Sequence, residues 1–293
     1  MRLGLGTVQF GLDYGISNRE GKTPESEVKK ILLIAAERGL SVIDTASQYG
    51  SSEKIIGRCL PGDHPFRIVT KTPSYNKTGL TEGDALLLKD AFHASLHKLE
   101  RKSVYGLLIH DSDDLLSLNG IVLWRAMQEL RESGVVEKIG VSVYSPDQLD
   151  AVLCSFHIDL VQLPVNVLDQ RMIRSNHLRR LKDRGIEIHS RSVFLQGLLL
   201  VDPITLPEHF SRIRQRLIQY HEFLSANRVT PREAAMVFVS GIREIDVVVV
   251  GVNDARQLVE LCDIADLNSP FPDIDFSSFS IKDEAIVNPS RWT

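Results

Sequence analysis

The sequence predicts a (β/α)8 TIM barrel, an α/β fold occupying residues 1–293 as one domain. Short β-branched or apolar runs alternate with longer amphipathic segments along nearly the whole chain, and no linker or compositional break divides them. The length of 293 residues suits a barrel, which typically takes about 250. Eight such units favour closure over an open doubly wound sheet.

The strand candidates are Leu3–Gly6, Ser41–Asp44, Arg67–Thr70, Tyr105–Ile109, Lys138–Val141, Leu160–Leu163, Glu187–His189 and Asp246–Val250. Between them the helix signals are explicit. Thr23 is positioned to cap a helix with Pro24 in its first turn and Gly39 beyond its end. Ser145-Pro146-Asp147 and Thr230-Pro231-Arg232-Glu233 repeat the starting pattern, and Gly185 closes a further helix. The tail from Asn268 to Thr293 combines prolines with Phe271, Phe276, Phe279 and Trp292 in weak periodicity, which reads as an irregular segment over the barrel, either a lid or a surface wrap.

Composition excludes some partners. A net charge of −4 with 25% charged residues offers no broad cationic surface, so nucleic acid is not expected. No apolar stretch reaches the 18 or so residues of a membrane span, and the N-terminus lacks a signal-peptide pattern, so a cytoplasmic protein is expected. Cys59, Cys154 and Cys262 are widely spaced; they form neither a metal-ligand pair nor a disulfide framework and read as buried thiols. Gly4, Gly6 and Gly11 do not make a dinucleotide fingerprint, because the first two fall within or directly after a strand and no helix opens on a third glycine.

Three successive strands end in a polar residue, at Asp44, at Lys71 and at His110, and Tyr49 follows Asp44 by five positions. In a barrel such strand ends converge on one face, so the four groups can share a site. Each alone has a plain structural explanation: a helix cap, a packed ring, or a strand-terminal side chain reaching solvent. Together they make a chemical set. A lysine ammonium beside a phenol favours the phenolate and brings it towards the working range. Asp44 would hold Lys71 charged and in place, and a neutral His110 can hydrogen-bond and orient a carbonyl oxygen.

The segment Val42-Ile43-Asp44-Thr45-Ala46-Ser47-Gln48-Tyr49-Gly50-Ser51-Ser52-Glu53 closely resembles the aldo-keto reductase signature, with Lys71 and His110-Asp111 resembling the rest of that family's catalytic tetrad. The resemblance extends from Gly4-Leu5-Gly6-Thr7 to the eighth unit. It implies NADPH, with NADH as the other candidate, lying across the mouth of the barrel, hydride transfer to a small-molecule carbonyl substrate, a proton from Tyr49, and no metal.

The resemblance also implies a cofactor site. Ser142 and Gln162 would hold the carboxamide, although Val143 stands where Asn is usual. The segment Ser190 to Gly197 matches the loop after the seventh strand and brings in Arg191, Ser192, Phe194, Gln196 and Gly197, with Arg191 in place of a stacking aromatic. Thr7 joins from the first strand. Gly251, Asn253 and Gln257 fall in the adenosine-phosphate segment, where the family's common Lys and Arg are replaced by Gly251 and, nearby, Gln257; Arg256 is the cation left to substitute. Asn253 or Asp254 would equally serve as an ordinary helix cap. The N-terminal hairpin common in that family has no counterpart before the first strand.

Two other readings fit the residues. Val143 and Arg191 suit a cofactor-sensing regulatory barrel with little turnover, and Lys71 suits a Schiff-base nucleophile of a barrel aldolase. For a reductase, a mouth lined by Val8 to Tyr14, Gln48 and Trp292 suits a sugar-like or other polyhydroxylated carbonyl.

Overall fold

The computed structural model describes residues 2–266, 272 and 274–292. All eight expected strands form: β1 (Arg2–Gly6), β2 (Val42–Asp44), β3 (Arg67–Lys71), β4 (Val104–Ile109), β5 (Val136–Ser142), β6 (Leu160–Pro164), β7 (Glu187–Arg191) and β8 (Val247–Gly251). They pair in parallel in chain order, and β1 closes the barrel against β8. Several run one or two residues beyond the apolar pattern. The ladder does not stop where hydrophobicity does: β7 continues to Arg191 because that residue still pairs with Pro164 of β6.

Two apolar bodies hold this architecture. Val42, Val69, Tyr105, Leu108, Leu160, Val247 and Val249 form a cluster from seven strand positions that fills the barrel, while a larger core joins strands to helices. Strands β5 and β6 approach closely at Gly140, where a Cβ would fall 1.7 Å from the Leu160 carbonyl oxygen. At the strand N-termini a polar knot adds to this. Glu187 accepts hydrogen bonds from the Tyr105 hydroxyl and the Lys138 ammonium, both at 2.5 Å, and its other oxygen lies 2.8 Å from Nε2 of the fully buried His189.

The helices follow their sequence signals, with one exception. Ser145 caps the helix Pro146–Ser155 by accepting from the Gln148 amide. Thr230 and Glu233 form a reciprocal capping box at Pro231–Ser240. Gly39 and Gly185 adopt positive φ after their helices. Thr23, by contrast, does not cap: Pro24 is the N-cap of Glu25–Glu37, and the Thr23 hydroxyl instead donates to the Asn253 carbonyl 3.2 Å away. A tertiary partner from the last βα unit has replaced the local one.

Two further expectations are corrected. Only Cys262 is buried; Cys59 is intermediate and Cys154 is exposed. Cys154 lies two positions past the buried Val152 on Pro146–Ser155, which turns it towards the opposite face of that helix. Trp292 does not reach the mouth. Its ring packs edge-on against Phe210 at 4.9 Å and its indole N–H donates to the Ile286 carbonyl. Other described tail residues pin the segment to the loop after β6: the Phe276 carbonyl accepts from Gln170, and the Ile281 amide donates to the Leu168 carbonyl. Phe279 packs edge-on against Tyr220 and at a tilt against Phe223 of the helix Ser211–Ala226. The tail is therefore a wrap, and Phe271 lies outside the described residues. Among the described residues, no helix is long and apolar enough to cross a membrane.

Candidate active site

Strand register sets the site. Gly6 pairs with Asp44, Asp44 with Val69, and Lys71 with Leu108, so these polar termini finish at one level of the barrel. After β2 the chain turns through a hydrogen bond from the Tyr49 amide to the Ala46 carbonyl, which returns Tyr49 over the mouth. The first loop clamps that turn. A Cβ on Gly11 would lie 1.7 Å from the Tyr49 carbonyl oxygen, so this approach requires glycine.

A buried hydroxyl cluster fixes the base of the turn. Ser52 Oγ lies 2.9 Å from both Thr7 oxygens and 3.2 Å from Thr45 Oγ1, and Thr7 Oγ1 donates to the Asp44 carbonyl. All three side chains are fully buried. Satisfied in this way, they rigidify the segment that carries Asp44 and Tyr49.

Lys71 sits at the centre. Its ammonium donates to both Asp44 carboxylate oxygens at 2.8 Å, to the Thr45 carbonyl at 2.9 Å and to the Tyr49 hydroxyl at 3.5 Å. An ammonium has three protons, and these acceptors use all of them. Asp44 Oδ1 also accepts from Gln162 Nε2 at 2.7 Å. The His110 ring meets the Tyr49 ring edge-on, centroids 5.8 Å apart, and His110 Nδ1 is buried without a partner.

The electrostatics depart from expectation in one respect. Burial, followed by the Asp44 charge and the Tyr144 ring, holds the Tyr49 phenol above its ordinary range despite the nearby cations. The expected net lowering does not occur, because the enclosed site penalises phenolate, the Asp44 charge adds to that penalty, and the Lys71 ammonium is shared with Asp44. Burial also lowers Lys71, against the pull of Asp44. His110 behaves as expected: burial, then Lys71 and Arg191, lower it to about 3, so its imidazole is neutral near pH 7.

One cleft of about 370 Å³ is lined by Asp44, Tyr49, Lys71 and His110, and also by Thr7, Ser142, Gln162, Arg191, Ser192, Phe194, Gln196, Gly197, Gly251, Asn253 and Gln257. The sequence reasoning thus finds residues that the fold brings together. It misses Tyr144 and Arg232, which also line the cleft. Arg191 lays its guanidinium over the Tyr144 ring, 4.0 Å from the centroid, and donates to the Val143 carbonyl and the Ser192 hydroxyl. Val143 itself is buried away from the cleft. Gln48 is likewise outside the lining, where it accepts from Ser74 at the surface.

The loop after β7 is conformationally costly. Ser192, Leu195 and Gln196 all have positive φ, and the buried Leu195 and Leu198 anchor them. The first loop crosses it: the Ile16 amide donates to the Gln196 carbonyl at 2.9 Å. On the β8 side Asp254 caps the helix Ala255–Ala265, and the Asn253 amide donates to Gln257 Oε1. Of the two cap candidates, Asp254 fills the role; Asn253 Oδ1 is left buried and unpartnered in the cleft.

Comparison with known proteins agrees with the barrel fold. The model of the aldo/keto reductase family matches residues 2–284. Aldo-keto reductase YhdN of Bacillus subtilis is 27% identical over 68% of this chain and 60% of its own length. An aldo-keto reductase of a Mycobacterium species (strain JLS) is 30% identical, covering 72% of this chain and 75% of that protein. The chain thus spans about three-fifths of YhdN and three-quarters of the mycobacterial relative. Among solved structures, the holo form of an aldo-keto reductase from Bacillus halodurans superposes with a TM-score of 0.72 at 20% identity, covering 92% of this chain and 88% of that one.

Proposed function

The chain belongs to the aldo/keto reductase family, and we propose that it reduces an aldehyde or ketone to the alcohol, with Tyr49 as proton donor and NADPH as the preferred hydride source over NADH. The observation that carries this reading is the convergence of a phenol, an ammonium, a carboxylate and a neutral imidazole on one cleft.

The lining suits a dinucleotide. Gln9 Oε1 and Asn253 Oδ1 are buried without partners along it. Gly251 leaves a cradle that a Cβ would fill, coming within 2.8 Å of the Gln9 amide. Ser142, Gln162 and the Arg191–Ser192 turn would hold the nicotinamide end, and Gly251, Asn253 and Gln257 the adenosine end. When bound, nicotinamide supplies hydride to the carbonyl carbon.

The residues of this chain manage the other half of the reaction. His110 orients the carbonyl oxygen by a hydrogen bond from its neutral ring. As the C–H bond forms, that oxygen becomes an alkoxide, a stronger base than phenolate. The Tyr49 proton then moves to it readily although the phenol sits above its ordinary range. The Lys71 ammonium, 3.5 Å from the Tyr49 hydroxyl, stabilises the phenolate left behind, and Asp44 keeps that ammonium in place. Tyr14, Tyr144, Asn18 and Gln196 give the mouth mixed polar and aromatic walls, which suit a small polyhydroxylated carbonyl.

The test is NADPH oxidation by purified protein over a carbonyl panel, beside Tyr49→Phe. Wild type should exceed the variant by about 10²–10⁴-fold on at least one substrate. No turnover above the variant on any of them overturns the proposal.

A further inference from the structure

We propose that Arg232, reaching the cleft from the helix Pro231–Ser240, is the cation that distinguishes a 2′-phosphorylated dinucleotide from an unphosphorylated one, and that Glu260 competes with the phosphate for it. This rests on the reductase reading above and concerns only the adenosine end of the cleft.

Three observations lead here. The β8 segment, where a cation for the phosphate is expected, presents Gly251 and Gln257 instead. Arg256 does not compensate: its side chain is 91% exposed, pairs with Asp254 at 3.7 Å and is absent from the cleft lining. Arg232 lines the same cleft as Asn253, Gln257 and Leu261, although it belongs to the preceding helix.

The chemistry of the pair sets the direction of the effect. Arg232 donates to the Glu260 carboxylate on the neighbouring helix, with the two side chains 31% and 50% exposed. An exposed carboxylate is a weak competitor, because solvent screens it. A phosphate dianion offers a guanidinium a bidentate partner of greater charge. Binding the phosphorylated cofactor therefore draws Arg232 away from Glu260, and that carboxylate opposes the incoming phosphate by like charge. An unphosphorylated ribose gains nothing from releasing Arg232. The discrimination lies in an ion pair between two surface helices.

Direct binding tests this without turnover. NADPH and NADH are titrated separately into the full-length protein and its variants by fluorescence quenching, with circular dichroism checking each fold. Arg232→Ala should weaken NADPH by about tenfold or more and NADH by less than about twofold. Glu260→Gln, which leaves Arg232 in place, should tighten NADPH several-fold and leave NADH within about twofold. Arg256→Ala should leave the ratio of the two affinities unchanged. If both cofactors bind but neither Arg232→Ala nor Glu260→Gln moves that ratio, the assignment to Arg232 is overturned and the reductase reading stands. The same holds if Arg256→Ala produces the loss instead. Failure of wild type to bind either dinucleotide overturns both.

Discussion

Replacing Asp44 with Asn keeps the shape of the site but removes the charge opposite a nearly inaccessible ammonium, since the Lys71 side chain is 1% exposed and its salt-bridging carboxylate lies 2.8 Å away. Breaking a buried pair from one side costs about 3–5 kcal/mol. The cost has a ceiling, because the stranded lysine can lose its proton: from a reference pKa of about 10.4, that takes about 4.6 kcal/mol at pH 7. At about 2.1 cal/mol/K per residue, 293 residues unfold with an entropy of about 0.6 kcal/mol/K, so Tm should fall by about 5–8 °C. The sign of the pH dependence follows. In the variant the folded lysine is neutral and the unfolded one protonated, so the unfolded state binds more protons and stability rises with pH. The deficit should shrink by about 1.36 kcal/mol per unit above neutrality and vanish near pH 10. Urea unfolding followed by circular dichroism at several pH values measures it, with Asp44→Asn/Lys71→Met as the partner experiment, expected to regain most of the loss. A deficit below about 0.5 kcal/mol, or one independent of pH, refutes the reasoning.

Three other outcomes are expected. Because burial holds the Tyr49 phenol high, tyrosinate absorbance of cofactor-free wild type and Tyr49→Phe should rise together up to about pH 10; a wild-type component titrating near neutrality would contradict this. His110 is depressed to about 3, so its imidazole NMR signals should not shift between about pH 5 and 8. Linkage gives the matching sign: the unfolded His110 binds a proton below about pH 6.5 that the folded one refuses. Its stabilising contribution is thus lost as pH falls towards 3, and His110→Asn should acid-denature less steeply. Finally, Gly140→Ala would place a Cβ 1.7 Å from the Leu160 carbonyl oxygen inside the barrel; a loss of about 3 kcal/mol or more is expected from overpacking, read as a lower urea midpoint, and an unchanged midpoint would count against that packing.

What the sequence determined by itself was local or periodic. Apolar runs marked all eight strands, Ser145-Pro146 and Thr230-Pro231 marked helix starts, and the polar residues ending β2, β3 and β4 marked Asp44, Lys71 and His110. Tyr49 was legible because it follows Asp44 by only five residues. The tertiary structure decided what depends on partners far along the chain. Gln162 reaches Asp44 across 118 positions, Arg191 reaches the Val143 carbonyl across 48, and Thr23 leaves its expected cap for Asn253 across 230. The height of the Tyr49 phenol belongs to this class too. A neighbouring charge can be anticipated from a motif, but desolvation is set by every surrounding group, and it is the largest cause here because the barrel encloses the site. Arg232 escaped notice for the same reason: in the sequence it is one residue of a helix start, and only closure of the barrel carries it to the cleft.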